Sequence, residues 1–305
     1  MRVPIRARHV GVTESRHDLR AMRLLSSLLV LALAASGCSG RYGAGGNAGH
    51  RTIVVRGSDT MIVLAQRWAE AYGRERPDIN LQVSGGGSGT GIAALENGTA
   101  DIATASRPMT EEERQRIMRV RGTEVVESSV CIDAIAVYVN PENPVPRLTV
   151  AQLADLFRGK TRRWSELGGP DWPVVLYSRE NSSGTYAYFK EHVLKKADFV
   201  AETQSLPGTA AVMYAVSHDR YGIGYGGVSR GRGVRLVPLV SKTGMDVLPS
   251  ARSASSGEYP LARPLLVYRT TGRGGEVDTF VRWLGERPAR SLALEAGFFP
   301  IEEGT

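Results

Sequence analysis

Four short segments of the sequence share a composition that suits the binding of an oxyanion. Each is rich in glycine, serine or threonine, each follows a strand-like run, and most lead into a helical pattern. They lie at 57–60, 84–91, 105–107 and 179–185. Backbone N–H groups at a helix start are unpaired and carry positive partial charge, so an oxyanion placed there is held by several donors.

The side chains of these segments add hydroxyl donors and two arginines, Arg107 and Arg179. Glycine lets the backbone approach a ligand closely, and the planar guanidinium of arginine matches phosphate oxygens. A single such segment is more typical of an ordinary capped helix start. Four of them, if they converge, would surround a tetrahedral anion with donors.

The elements that must position these segments alternate between strands and helices. Strands are predicted at 52–55, 79–83 and 101–105, and apolar residues recur at helical spacing from 61 to 72. This βαβα pattern predicts an α/β domain with a largely parallel sheet. A longer strand at 132–139 ends at a proline-containing turn, and a second run of elements follows.

The second run predicts both kinds of element as far as the carboxyl end. Strands are expected at 174–177, 234–239 and 265–268, and helices at 150–157, 185–195, 276–284 and 290–296. The glycine run 222–227 fits the pattern GxGxxG, but a strand and not an amphipathic helix follows it. A dinucleotide site needs that helix, so the pattern is set aside.

The amino-terminal region has the features of a secretory signal. Arg23 precedes an apolar run at 24–35, and small residues lead to Cys38. The tetrad ending in Cys38 resembles a lipobox, which implies lipidation of that cysteine; a plain signal peptide is the alternative. We predict a signal segment at 1–37, with translation starting at Met22 or from an unusually long leader. A glycine-rich tether then covers 38–51.

Charge and composition exclude several functions. The full chain carries +7, and removing the +4 of residues 1–37 leaves +3, which suits an anionic ligand. A dense basic stripe for nucleic acid is missing. No nucleophile–base pair and no metal signature is present, so we expect neither an enzyme, a metal site nor a cofactor. Cys131, in an apolar run, is interpreted as a buried inert thiol.

The four segments together resemble those of the phosphate-binding protein of bacterial phosphate ABC importers, from about Thr52 onward. The resemblance includes 206–209, 222–225 and the closing 297–300. It implies an α/β, two-lobed type II periplasmic binding protein fold, with the ligand in a cleft between lobes joined by crossing strands. Lobe 1 is expected at 52–136 plus 228–305, and lobe 2 at 137–227.

The resemblance also implies the ligand-binding positions. The candidates are Ser58, Asp59, Thr60, Ser88, Gly89, Ser106, Arg107, Arg179, Ser183, Gly184 and Thr185. Two positions depart from the family. The usual aspartate that accepts the proton of hydrogen phosphate is Arg107, and the usual carboxylate two residues after the cleft arginine is Asn181. We hypothesise that Asp59 accepts the proton; an N-cap role is the alternative. Arg107 faces either the ligand or a carboxylate across the cleft.

The implied function is extracytoplasmic capture of inorganic phosphate by a monomer that delivers it to the permease subunits of an ABC importer. The Cys38 anchor would hold the protein at a lipid bilayer, on the outer face of the cell membrane or in the periplasm. Three alternatives remain open at this point. They are binding of sulfate, molybdate or tungstate, a surface or sensory lipoprotein that serves no importer, and an anion-handling enzyme such as a phosphatase.

Overall fold

The computed structural model describes residues 51–228, 233–272 and 275–301. These described residues belong to one compact unit. The predicted signal segment, the lipidation site Cys38 and the tether before Arg51 lie outside the described residues. Among the described helices, none has the length and apolar character needed to cross a bilayer.

Strands and helices alternate through the first part of the described chain, as the sequence predicts. The strands are β1 (Arg51–Gly57), β2 (Ile79–Ser84), β3 (Ile102–Ala105), β4 (Val125–Val139), β5 (Val175–Arg179), β6 (Gln204–Leu206), β7 (Gly222–Gly227), β8 (Arg235–Leu236), β9 (Leu239–Val240), β10 (Asp246–Val247), β11 (Ala262–Thr270) and β12 (Phe299–Pro300). The helices are α1 (Ile62–Glu75), α2 (Ser88–Glu96), α3 (Glu111–Arg121), α4 (Val150–Phe157), α5 (Gly184–His192), α6 (Gly208–His218), α7 (Ala251–Ser255), α8 (Gly275–Trp283) and α9 (Arg287–Glu295), with a 3₁₀ turn at Trp164–Leu167.

Several boundaries differ from the sequence prediction. Strand β4 begins before the predicted start at 132, and 234–239 contributes to two short strands instead of one. Helix α5 ends at His192 and not at 195, because Lys195 and Lys196 adopt positive φ angles of 53° and 68° that no right-handed helix accepts.

One continuous sheet carries the fold, in the strand order β2-β1-β3-β11-β4-β7-β5-β6. Strand β1 pairs in parallel with both β2 and β3. The carboxyl ends of these three strands therefore meet at one edge of the sheet, and the first three predicted segments follow those ends. Strand β5 pairs in parallel with β6 and β7 in the other part of the sheet, and the fourth segment follows β5.

Strand β4 crosses from one half of the sheet to the other. Its residues 125–134 pair with β11, and its residues 135–139 pair with β7 in antiparallel register. The prediction of crossing strands between two lobes agrees with this pairing. Asp133 stands where the pairing changes, in an otherwise buried apolar stretch of the strand.

Two large apolar cores lie on either side of this crossing. The first contains Trp68 of α1 and Phe280 of α8, and the second contains Phe157 of α4 and Phe189 of α5. Residues within 237–261 belong to the second core through local pairing, because β8 is a neighbour of the end of β4 and Leu239 bridges to Leu148. The division into lobe 1 at 52–136 plus 228–305 and lobe 2 at 137–227 stays a prediction.

Two minor sequence interpretations agree with the structure. The glycine run that fits GxGxxG forms strand β7, where every residue is buried. A Cβ on Gly224 would lie 2.5 Å from a Val212 methyl, so this glycine serves helix–sheet packing. Cys131 is a buried free thiol, and burial raises its pKa to about 12. It is therefore unreactive at neutral pH.

Candidate functional site

The four predicted segments converge on one place between the two halves of the sheet. The Oγ1 atoms of Thr60 and Thr185 lie 3.1 Å apart, although the first belongs to the loop after β1 and the second to α5. The N–H of Gly89 donates to the carbonyl of Ser182 at 3.0 Å. The segments of the first half thus touch the segment of the second half directly.

Glycines make this close approach possible at two points. A Cβ on Gly87, which has a φ of 93°, would lie 2.5 Å from the Ser182 carbonyl oxygen. A Cβ on Gly184 would lie 2.2 Å from the Ser88 hydroxyl. Any larger residue at these positions must push the two halves apart, because real Cβ contacts are longer than this.

Hydroxyl groups line the place where the segments meet. The Ser106 N–H donates to Ser88 Oγ at 3.0 Å, and the two hydroxyl oxygens are 3.4 Å apart. Both side chains are buried. Ser183 caps α5 by accepting from the N–H groups of Thr185 and Tyr186. The start of this helix is therefore in the same region as the hydroxyls.

Ser58 differs from the other serines because its hydroxyl has no hydrogen-bond partner among the described residues. Its backbone N–H donates to the carbonyl and the hydroxyl of Thr104, which fixes the loop. The residue is 2% exposed. A buried hydroxyl without a partner is costly, so it marks a position where a polar ligand group fits.

Arg179 is fully buried at the edge of this cluster and connects distant parts of the chain. Its Nη2 donates to Asp59 Oδ2 at 3.1 Å and to Glu180 Oε1 at 2.9 Å. Its Nη1 donates to the Thr209 hydroxyl at 2.9 Å. The guanidinium therefore stands between the first predicted segment, its own segment and the start of α6.

Asp59 does not cap helix α1. The N-cap residue of that helix is Met61, and no side chain caps it. The carboxylate of Asp59 instead accepts from the Gly86 N–H at 2.9 Å through Oδ1 and from Arg179 through Oδ2. It thus holds the first and second segments together, and the N-cap alternative is wrong.

Glu180 was missed by the sequence analysis, which examined position 181 for a carboxylate. Its oxygens accept from two nitrogens of Arg179 and from the Gly208 N–H. Burial alone would raise the pKa of Glu180, but the hydrogen bonds and charge of Arg179 outweigh it and the pKa lies below its usual value. The carboxylate that holds the arginine therefore stands one residue after Arg179 and not two.

Arg107 has a different environment from the one predicted. Its guanidinium makes two hydrogen bonds, at 2.8 and 2.7 Å, to the carboxylate of Glu113 in the first turn of α3. A further bond reaches the Pro108 carbonyl. Glu113 also accepts from the Thr110 N–H in a capping box. The partner carboxylate therefore lies on the same side of the cleft, and none of these bonds reaches the hydroxyl cluster.

A second buried arginine, Arg263, was also missed. Its Nε and Nη2 donate to Asp133 Oδ2 at 3.0 and 2.8 Å, and both side chains are completely buried. Burial raises the pKa of Asp133, and the neighbouring Arg263 charge opposes that rise. The available signal was a lone charge within each of two apolar runs, because a buried charge requires a partner.

The site can hold an anion through many donors and offers little for covalent chemistry. Its contributors are backbone N–H groups, hydroxyls and Arg179. The described residues contain no group of three or more histidine, cysteine, aspartate or glutamate side chains placed to hold a metal ion. The arrangement of an α/β fold, crossing strands and a donor-lined site is that of a substrate-binding protein.

Comparison with known proteins agrees with that class. A family model described as a PBP superfamily domain matches residues 43–287. A phosphate-binding protein named PstS from Pseudomonas aeruginosa is 34% identical over 263 residues, which span 80% of this chain and 81% of that protein.

Two solved structures are also similar. A phosphate ABC transporter substrate-binding protein from Clostridium perfringens, solved with bound phosphate, has a TM-score of 0.75 at 26% identity and covers 83% of this chain and 100% of its own. An ABC-type phosphate transport receptor from Vibrio cholerae has a TM-score of 0.68 at 27% identity, covering 82% and 100%. The chain therefore belongs to the PBP superfamily and, within it, to the family of the phosphate-binding proteins of phosphate ABC importers.

Proposed function

We propose that this protein captures inorganic phosphate outside the cytoplasm and delivers it to the permease subunits of an ABC importer. The observation that carries the proposal is the unpaired, buried hydroxyl of Ser58 at the meeting point of four donor-rich segments. A tetrahedral anion there would accept hydrogen bonds from the hydroxyl groups of Ser58, Thr60 and Thr185. Backbone N–H groups at the start of α2 would add to them.

Capture requires no covalent chemistry in this proposal, so the protein is a binding protein and not an enzyme. The two halves of the sheet close over the anion by bending at the crossing strands. Arg179 provides positive charge, while Asp59 and Glu180 hold its guanidinium in place. Release follows when the importer opens the two halves.

Asp59 is the proposed acceptor of the phosphate proton. At neutral pH phosphate keeps a proton and sulfate does not, so a carboxylate in the site rejects sulfate. Each oxygen of Asp59 accepts one hydrogen bond from the protein, and a carboxylate oxygen can accept two. One lone pair on each oxygen therefore remains for the ligand.

Cys38 is the proposed anchor. Lipid on this cysteine would keep a monomeric protein close to its transporter, and more than one acyl chain gives stable attachment. We expect the purified mature protein to carry a mass increase on a peptide that begins at Cys38, detected by mass spectrometry. Release of an unmodified mature protein into the medium would instead indicate a plain signal peptide.

Calorimetric titration of the purified protein, after removal of bound anion, tests the main proposal. We expect binding of phosphate at micromolar concentration or tighter and no heat with sulfate or molybdate. Binding of sulfate in place of phosphate would assign a different oxyanion. No response to any of them would remove the transport function while leaving the fold unchanged.

Delivery to an importer is tested separately in cells. We expect cells that lack the protein to take up radiolabelled phosphate more slowly when phosphate is scarce, and the intact gene to restore uptake. Unchanged uptake, together with normal phosphate binding in the calorimeter, would favour a sensory role.

A further inference from the structure

Arg263 touches three of the four predicted segments, in addition to its partner Asp133. Its Nη2 donates to Thr185 Oγ1 at 2.9 Å and lies 3.4 Å from Thr60 Oγ1. Its Nη1 donates to the carbonyl of Ser106 at 2.9 Å. These contacts reach the first and third segments on one side and α5 on the other.

The chemistry of these contacts sets the direction of the threonine protons. A guanidinium has only donors, whereas a hydroxyl has one proton and two acceptor positions. The oxygen of Thr185, and more weakly that of Thr60, can therefore only accept from Arg263, and the threonine protons point away from it. Because the two oxygens are 3.1 Å apart, at most one proton lies between them. The second hydroxyl proton is then free to donate to an anion, and either hydroxyl can rotate so that its proton points to the anion.

Neutralisation of charge alone does not account for this geometry. Asp133 already neutralises Arg263 through Oδ2, and its Oδ1 accepts from the Val228 N–H at 3.3 Å. The pair therefore needs no threonine to satisfy its charge. Nη2 carries two protons and has three acceptors within reach, so the shorter contact, to Thr185, is the stronger of the two threonine contacts.

We propose that Arg263 is a positioning residue for the anion, which holds the hydroxyls of Thr185 and Thr60 as hydrogen-bond donors to the ligand. The inference rests on the proposed function, because it assumes that phosphate occupies the site. Thr60 and Arg263 belong to the first half of the sheet and Thr185 to the second, so the contact between Arg263 and Thr185 requires the two halves to be together. Arg263 therefore orients the Thr185 hydroxyl for the ligand in the closed form.

The test uses a neutral replacement of the pair. Removing Arg263 alone would leave the buried Asp133 charge without its partner. The double variant Arg263→Gln with Asp133→Asn keeps polar groups of similar shape and removes both charges. Thr185→Val removes the hydroxyl through which Arg263 acts, and Thr185→Ser keeps it. Phosphate affinity is measured by calorimetry, and folding by the thermal midpoint.

We expect the double variant to bind phosphate about 10-fold to 100-fold more weakly, the range for lost hydrogen bonds to a charged group. Thr185→Val should weaken binding to a similar extent, and Thr185→Ser should retain affinity near wild type. The variant that combines Thr185→Val with the double replacement should lose little more than either parent. A structural pair would change the thermal midpoint without this non-additive pattern in affinity.

Two controls separate the possible failures. Replacing Arg114 and Glu127 by glutamine removes another arginine–carboxylate pair, whose bond lies outside the hydroxyl cluster, and should leave phosphate affinity unchanged. If the double variant does not fold, Arg263→Lys, which lacks the planar fork, should still weaken binding. If the wild-type protein does not bind phosphate, the proposed function itself is wrong. Wild-type binding, with variants that bind equally well or lose affinity additively, would overturn the role of Arg263.

Discussion

Arg107 and Arg179 occupy similar positions in the sequence and different ones in the molecule. Both lie at or just after the end of a strand, and both were candidates to face the anion, with a carboxylate across the cleft as the alternative for Arg107. Arg107 is held by Glu113, six residues away on the next helix. Arg179 is held by its neighbour Glu180 and by Asp59, which is 120 residues away.

The difference teaches how a local carboxylate decides the role of an arginine. Glu113 stands in the first turn of α3, where a capping box fixes its side chain next to Arg107. The two charges cancel within one short segment, so nothing there is directed to the cleft. The Arg179 centre spans the cleft, because Asp59 comes from the first half of the sheet. Of the two arginines, only Arg179 therefore has an ion pair that forms when the two halves of the sheet come together.

Replacing Arg179 by methionine is the most direct way to break this comparison. We expect phosphate affinity to fall by about 100-fold or more, because the variant removes the cation and leaves two carboxylates near the anion. Calorimetry measures the loss. An affinity within a few-fold of wild type would mean that Arg179, like Arg107, contributes little to phosphate binding.

Gly184→Ala tests whether the contact between the two halves matters as much as the charge. The added Cβ would lie 2.2 Å from Ser88 Oγ, so closure must be incomplete. We expect phosphate affinity to fall by about 10-fold to 100-fold, equivalent to the 1–3 kcal/mol typical of overpacking. Gly73→Ala, in α1 with nothing within 4 Å of the new Cβ, is the matched control and should bind normally.

Asp59→Asn sharpens the comparison by separating the two tasks assigned to this carboxylate. We expect about 10-fold weaker phosphate binding and the appearance of sulfate binding, because an amide can donate to an unprotonated oxygen. Glu180→Gln also removes a carboxylate charge that neighbours Arg179, yet this variant should still reject sulfate. If both variants behave alike, or if Asp59→Asn still rejects sulfate, Asp59 is not the proton acceptor.

Ser58→Ala tests a donor that neither arginine contacts. We expect phosphate binding to weaken by about 10-fold, as for one hydrogen bond to a charged group. Stability of the free protein should not fall, because the hydroxyl has no partner among the described residues. A drop in the thermal midpoint with unchanged affinity would show that this hydroxyl serves the fold and not the ligand.

Most of the longer strands, several helices and the four loops could be predicted from the sequence because their signals are local. The glycine and serine residues before α2, for example, stand between a strand pattern and a helix pattern. The serine and threonine positions of the cluster follow from those loops and from resemblance to the family. The convergence of the first three loops then follows from the parallel strands β1, β2 and β3, whose carboxyl ends share an edge.

The pairing of charges could not be predicted in the same way. Arg263 and Asp133 are 130 residues apart and meet only because β11 and β4 are neighbours. Glu180 shares its arginine with Asp59, and no sequence spacing links those two carboxylates. The charge partners are chosen by the tertiary fold, so the sequence signal was limited to unusual charges in apolar runs.

Arg107→Gln is expected to have the smallest effect on the ligand. Phosphate affinity should stay within about 2-fold of wild type, while the free energy of unfolding should fall by about 1–2 kcal/mol at pH 7, since Glu113 loses its partner. Burial tends to raise the pKa of Glu113, but Arg107 and the Thr110 N–H lower it below the usual value.

The sign of the pH dependence follows from that lowered pKa. A depressed carboxylate pKa contributes stability above the unfolded value, about 4.3, and loses it as the pH falls through the folded value. The difference between wild type and Arg107→Gln in urea unfolding should therefore be full at pH 7 and shrink below about pH 4. A constant difference would assign the lost stability to packing, and a large change in phosphate affinity would return Arg107 to the ligand.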